Sequence, residues 1–241
     1  YGPATEQQLI GIVQREHKVG KTLLKLPVNK SYRLQQTPQN EVLLAPFKAK
    51  NIYLRQYHNE GNQWNVSKTP TEMLFNQYFG SGMNSIVFQE LRETRGLAYN
   101  AGARYAMPQM KNEDEYFLTQ IISQNDKMSD CLRVFNDIVN NMPENEAAFD
   151  LAKQSLIESI QSDRVTRYGV ITRYLRMKQL GLSNDYMQQV YETLPKITLK
   201  DVVNFARQNI ANKTYRYIVL GDEKELDMKE LEKIAPVKRL F

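Results

Sequence analysis

The run Phe79-Gly80-Ser81-Gly82-Met83-Asn84-Ser85-Ile86-Val87-Phe88-Gln89-Glu90-Leu91-Arg92-Glu93-Thr94-Arg95-Gly96-Leu97-Ala98-Tyr99 joins a glycine-rich turn, a helical repeat and the start of a strand. The glycines let the chain turn tightly into a helix start without a steric penalty. At about 100° per residue, Met83, Ile86, Val87 and Leu91 fall on one side of that helix, and Arg92 lies roughly 140° from the centre of the side. Arg92 is therefore expected to point away from the core. Glu90 falls only about 60° from the same centre, which predicts partial burial and a need for a hydrogen-bonding or cationic partner. Gly96 stops the helix, and residues 97–107 read as a strand carrying Tyr99 near its start. On spacing alone the ordinary readings stand: Arg92 is a solvated helix residue and Tyr99 packs its ring on the sheet.

Upstream, residues 5–25 have a rough helical pattern (Leu9, Ile12, Val13, Leu23, Leu24) interrupted by Gly11 and Gly20 and ended by Pro27. Residues 1–40 are taken as a lead-in, and residues 41–241 as one domain. Two short strand-like runs follow at 42–45 and 51–57, the second alternating Ile52 and Leu54 against Tyr53 and Arg55. Thr69 and Thr71 around Pro70 start a helix that continues through Met73, Leu74, Gln77 and Tyr78 to Gly80, and a second helix runs over 83–95. Downstream, the polar turn 109–114 separates the strand at 97–107 from one at 116–122, which suggests an antiparallel hairpin.

The rest is mainly helical. Met128, Cys131, Leu132, Phe135, Ile138, Val139 and Met142 repeat at helical spacing, as do Phe149, Ala152, Leu156, Ile157 and Ile160 after Pro143. Shorter helices are expected over 166–180 and 185–193. Thr198 and Asp201 resemble a capping box opening another helix, before a strand at 215–220 ended by Gly221 and Asp222. Strands at both ends with helices between them argue an α+β fold, a two-layer sandwich in which one mostly antiparallel sheet is covered by helices.

Composition narrows the function classes. With 241 residues, 41% hydrophobic and 24% charged, the chain is an ordinary globular one, and no stretch approaches the apolar length of a membrane helix. It reads as soluble, with no membrane partner, and its compartment stays open between cytoplasm and periplasm. Residue 1 is Tyr, and residues 1–4 carry neither the basic flank nor the apolar run of a signal peptide, as in a piece cut from something longer. The 32 basic and 27 acidic residues leave +5. Lys18, Lys21, Lys25, Lys30 and Arg33 crowd the first segment, but later charges are mixed in sign and the tyrosines are scattered, which argues against nucleic acid. The single cysteine, Cys131, lies in an apolar helical row and reads as core packing.

Gly-Ser-Gly-Met-Asn-Ser at 80–85, Phe-Gln-Glu-Leu-Arg-Glu at 88–93 and Arg-Gly-Leu-Ala-Tyr at 95–99 resemble the glycine-helix-strand signature of the insulinase/pitrilysin metallopeptidases. The likeness extends more loosely from about Val42 to Leu231, including the 215–220 strand and its Gly221-Asp222 turn. Ser81 and Asn84 stand where other members often have Gly and Ser. The resemblance implies the C-terminal, zinc-free half of such an enzyme, built from α+β domains that close with a zinc-bearing half around a peptide. It also implies that Arg92 and Tyr99, seven residues apart, are the catalytic and substrate-binding pair. Tyr99 would donate its hydroxyl to the charge developing on the scissile carbonyl oxygen, and the fixed fork of Arg92 would grip backbone carbonyls beside the cut bond.

The family's zinc motif, HxxEH, is missing. His17 and His58 are the only histidines: position 13 is Val13, and His58 is followed by Asn59, Glu60, Gly61 and Asn62. No metal is expected in this chain, and zinc is expected in a companion domain or subunit. The runner-up is a family member that keeps the fold without catalysis, serving as a scaffold or peptide-binding subunit.

Overall fold

The computed structural model describes residues 2–18, 20, 22, 24–28 and 33–241. Among them a six-stranded sheet runs in the order β3-β4-β2-β5-β1-β6. Its strands are β1 (Glu41–Pro46), β2 (Asn51–His58), β3 (Ala98–Ala106), β4 (Tyr116–Gln124), β5 (Arg216–Gly221) and β6 (Val237–Arg239). The pairs β3–β4, β4–β2 and β2–β5 are antiparallel, whereas β1 runs parallel to both β5 and β6. The expected α+β sandwich with a mostly antiparallel sheet is the observed architecture.

Alternation decides which face of the sheet is covered. Along β2, Ile52, Leu54, Gln56 and His58 are buried while Asn51, Tyr53 and Arg55 face outward. A half-buried antiparallel strand gives this period of two. Helices close the buried face: α2 (Thr69–Phe75), α4 (Met128–Asn140), α5 (Glu146–Ser162) and α8 (Leu199–Asn209). Phe75 organises the core, with ring centroids 5.1 Å from Phe79 and 5.2 Å from Phe205. Cys131 is fully buried in this core, and α8 opens on the Thr198–Asp201 capping box.

Several expectations need correction. The first helix, α1, spans Glu6–Glu16: Gly11 does not interrupt it, and it ends before Gly20. Thr5 and Gln8 cap its start reciprocally, so local chemistry holds a helix none of whose residues is buried. Tyr1, Lys21, Leu23 and Lys30 lie outside the described residues. Thr69 does not cap α2, because its hydroxyl accepts from the Trp64 indole N–H at 3.0 Å. Asn65 instead caps a short 3₁₀ turn, Val66–Lys68, that leads into the helix. The segment after Leu180 also differs: α6 (Gly169–Leu180) starts three residues later than expected, and α7 covers Met187–Thr193. A last helix, α9 (Met228–Ile234), and the edge strand β6 have no counterpart in the sequence reading. Their apolar residues are too few to show a period, and pairing with β1 makes β6 a strand.

The region of the quoted run departs most from regular helix. α2 widens into a π-turn over Asn76–Gly80, where Ser81 N–H donates to the Asn76 carbonyl at 2.9 Å. The second helix is α-helical only over Ile86–Phe88 (α3), capped by Ser85, and widens again over Gln89–Thr94. Met83 was expected on the buried side, but it precedes the helix start and is exposed. The first π-turn lies against the open edge of β3. There the Asn76 amide takes the place of a neighbouring strand, donating to the Tyr105 carbonyl at 2.9 Å and accepting from its N–H at 2.8 Å. Gly80 lies so close to this edge that a Cβ would sit 2.0 Å from the Ala103 carbonyl oxygen.

Candidate functional site

The second π-turn and the start of β3 bring Arg92 and Tyr99 together. A wide turn closes i→i+5 bonds and makes residues five apart neighbours, where an α-helix would pair residues three or four apart. Glu90 and Arg95 are such a pair: the Arg95 guanidinium forms an ion pair with the Glu90 carboxylate and donates to the Glu90 carbonyl at 3.1 Å. The cationic partner that the helical projection required for Glu90 is therefore Arg95. Gly96, at φ +58°, ends the turn with its N–H on the Arg92 carbonyl at 3.0 Å, a conformation that residues with a side chain seldom adopt.

Arg92 is left free of such pinning. Its ion-pair partner is Glu93, with Nε 3.7 Å from the carboxylate, beyond hydrogen-bond distance. The guanidinium carbon instead lies 5.0 Å from the Phe88 ring centroid and 5.5 Å from that of Tyr99. Stacking on aromatic faces holds an arginine in place while leaving its N–H fork available to a ligand.

Tyr99 is aimed by an irregularity in the sheet. Ala98 pairs with Ser123 and Asn100 with Ile122, so Tyr99 is the extra residue of a β-bulge. A bulge interrupts the alternation of side chains and can re-aim one of them. Here Tyr99 and Asn100 both face outward between buried Ala98 and Ala101, and Tyr99 is 75% exposed. Its ring does not pack on the sheet. The two residues named from the sequence thus share one exposed surface, with the Arg92 guanidinium beside the Tyr99 ring.

A pocket of about 290 Å³ opens next to Tyr99, lined by Asn51, Gly96, Leu97, Ala98, Tyr99, Ser123, Gln124 and Lys127. A larger cavity of about 690 Å³ lies at the other end of the β3–β4 hairpin, against Gln35, Asn112 and Asp114.

The histidines do not fit a zinc site. The buried His58 ring has Nδ1 2.6 Å from the Thr214 carbonyl and 3.1 Å from the Thr37 hydroxyl. Burial pushes the imidazole below its ordinary pKa. Its Nε2 lies 3.8 Å from a Glu60 carboxylate that Lys213 already holds at 2.7 Å. His17 caps α1 at the surface, on a different element. Among the described residues no group of three or more His, Cys, Asp or Glu side chains is placed to hold a metal ion.

Sequence reasoning missed a buried acidic pair. Glu72 and Glu115 are almost fully inaccessible, and among the described residues the Glu72 carboxyl meets no polar partner but the carboxyl of Glu115. Burial, reinforced by the Glu115 carboxylate, pushes Glu72 up to about 9. Burial also raises Glu115 and the Tyr105 phenol, which donates to Glu115 at 3.5 Å. Each glutamate stands in a buried row that could have flagged it: Glu115 shares the inward alternation of Phe117 and Ile121, and Glu72 shares the helix face of Phe75 and Phe79.

Residues 1–156 match the family model described as the peptidase M16 inactive domain. Among solved structures, the chain is similar to the peptidase M16 inactive domain from Pseudomonas fluorescens, at 18% identity and TM-score 0.66, over 79% of this chain and 46% of that one. It is also similar to a conserved protein from Enterococcus faecalis V583, at 14% identity and TM-score 0.67, over 93% and 51%. A protease from Helicobacter pylori aligns at 11% identity and TM-score 0.65, over 90% and 53%. The chain spans about half the length of these structures, and the likeness shows the shared fold. No curated protein matches the sequence. No helix among the described residues is long and apolar enough to cross a membrane.

Proposed function

The chain belongs to the peptidase M16 inactive-domain family, and from that membership we propose that it is the zinc-free half of a peptidase, holding an extended peptide for cleavage. In this reading residues 41–241 form the working domain and residues 1–40 lead into it. A companion domain or subunit carries the HxxEH motif and its zinc, and the two halves enclose the substrate. The observation that supports the reading best is the exposed pair of donors at the bulge, with the Arg92 guanidinium 5.5 Å from the Tyr99 ring centroid.

Each donor has a distinct task. Arg92, stacked on Phe88 and bound by no close carboxylate, grips backbone carbonyls beside the bond to be cut and keeps the peptide in register. The Tyr99 hydroxyl, on an exposed ring, donates to the carbonyl oxygen on which negative charge develops. Such a donor is worth about 10²- to 10³-fold in kcat.

The test is made on the complete protein with its companion half. Tyr99→Phe is expected to lower kcat by about 10²-fold, the loss typical of one such donor. Arg92→Ala is expected to lower kcat/KM by a similar factor through misplacement of the peptide. Zinc content stays unchanged in both variants. Wild-type rates in both would remove the assignment. A complete protein that binds peptides and never cleaves them would leave the scaffold reading in its place.

A further inference from the structure

The pocket beside Tyr99 has a one-sided charge. Of its eight lining residues, Lys127 is the only ionisable cation and none is an acid. The Lys127 ammonium donates to the Gly96 carbonyl at 3.2 Å, a neutral acceptor that fixes its position without cancelling its charge. The neighbouring Arg95 differs, because Glu90 neutralises it. At about 290 Å³ the pocket lies at the lower edge of small-molecule sites, which suits one side chain or a chain end. Leu97 and Ala98 supply an apolar wall, and Asn51 and Gln124, opposite each other across the β2–β4 pair, supply amides. The Ser123 hydroxyl donates to the Leu97 carbonyl.

We propose that this pocket is a subsite for a carboxylate of the bound peptide, with the Lys127 ammonium as its charged partner. The proposal rests on the reading of Arg92 and Tyr99 as peptide-holding residues, because Tyr99 forms a wall of the pocket. A peptide gripped at Arg92 and Tyr99 places a nearby group against Lys127. A carboxylate there gains a charge-assisted hydrogen bond in a partly enclosed setting. An amide of the same shape can accept from the ammonium but brings no opposite charge, so it is held less tightly, and a lysine is repelled. The carboxylate comes either from a glutamate or aspartate side chain or from the C-terminal end of the peptide.

Fluorescence anisotropy on the complete protein with its companion half separates these cases. Labelled peptides would be compared in matched sets, with Glu or Gln at each successive position and with a free or amidated C-terminus. The wild type is expected to bind one Glu peptide, or the free-acid form, about tenfold more tightly than its neutral counterpart, the gain of a charged over a neutral acceptor facing the ammonium. A side-chain source appears as a position-specific Glu preference, and a chain-end source as a preference for the free acid. Lys127→Gln is expected to abolish the preference while leaving the neutral peptides unchanged, and Lys127→Glu to reverse it towards a lysine peptide. Equal binding of charged and neutral peptides by the wild type, or an undiminished preference in Lys127→Gln, overturns the proposal. Failure of the underlying reading shows separately, as unchanged affinity for every peptide in Arg92→Ala.

Discussion

Replacing Glu72 with Gln should make the chain more stable at neutral and alkaline pH, by an amount that the burial of this carboxyl sets. Glu72 is almost wholly inaccessible, its carboxyl meets only that of Glu115 among the described residues, and its pKa is pushed up to about 9 from an ordinary 4.5. An acid whose folded pKa is raised stays protonated in the native state while it ionises in the unfolded one. The unfolded state then binds fewer protons, and stability falls as pH rises from about 4.5 to about 9. Three pH units at about 1.36 kcal/mol each cost on the order of 4 kcal/mol between pH 5 and pH 8. Glu72→Gln removes the titrating group, and its amide N–H can face the Glu115 carboxylate. Urea unfolding of wild type and variant at pH 5 and pH 8 is the assay. The two should differ little at pH 5, and the variant should lead at pH 8 by roughly 2–4 kcal/mol, with allowance for a polar amide left partly unpaired. Curves displaced by the same amount at both pH values would show that Glu72 does not stay protonated in the folded chain, and the argument would fail.

Two further predictions concern the covered edge of β3. Gly80→Ala places a methyl group 2.0 Å from the Ala103 carbonyl oxygen; relief requires main chain to move, so unfolding free energy should fall by about 2–3 kcal/mol, and a change below about 0.5 kcal/mol in urea melts would contradict that close approach. Asn76→Ala removes both hydrogen bonds to Tyr105 and should cost about 2–4 kcal/mol, with amide exchange at Tyr105 accelerated far more than in β2; unchanged protection there would show that the edge is covered by other means.

How much of this was legible beforehand can be judged residue by residue. The apolar periods around Leu54, Cys131 and Val202 marked a strand and two helices, because burial of one face imposes its period directly on the sequence. The quoted run carried the candidate pair as well, since the identity and spacing of Arg92 and Tyr99 are local facts. What surrounds the pair was not legible. A projection at 100° steps presumes α-helix, and it placed Met83 on the buried side. The chain instead begins its helix at Ile86 and widens at Gln89.

The sequence by itself determined the α+β class, the positions of most elements, the missing HxxEH and the candidate pair, because each depends on residue type and short-range order. Only the tertiary structure decided that Tyr99 points outward, because a bulge exists only relative to the partner strand that lacks the extra residue. The same holds for the Glu72–Glu115 pair, the amide of Asn76 on the edge of β3 and the parallel seam of β1 with β5. Each joins residues about thirty or more positions apart, and their energies arise from burial and contact that no local window contains.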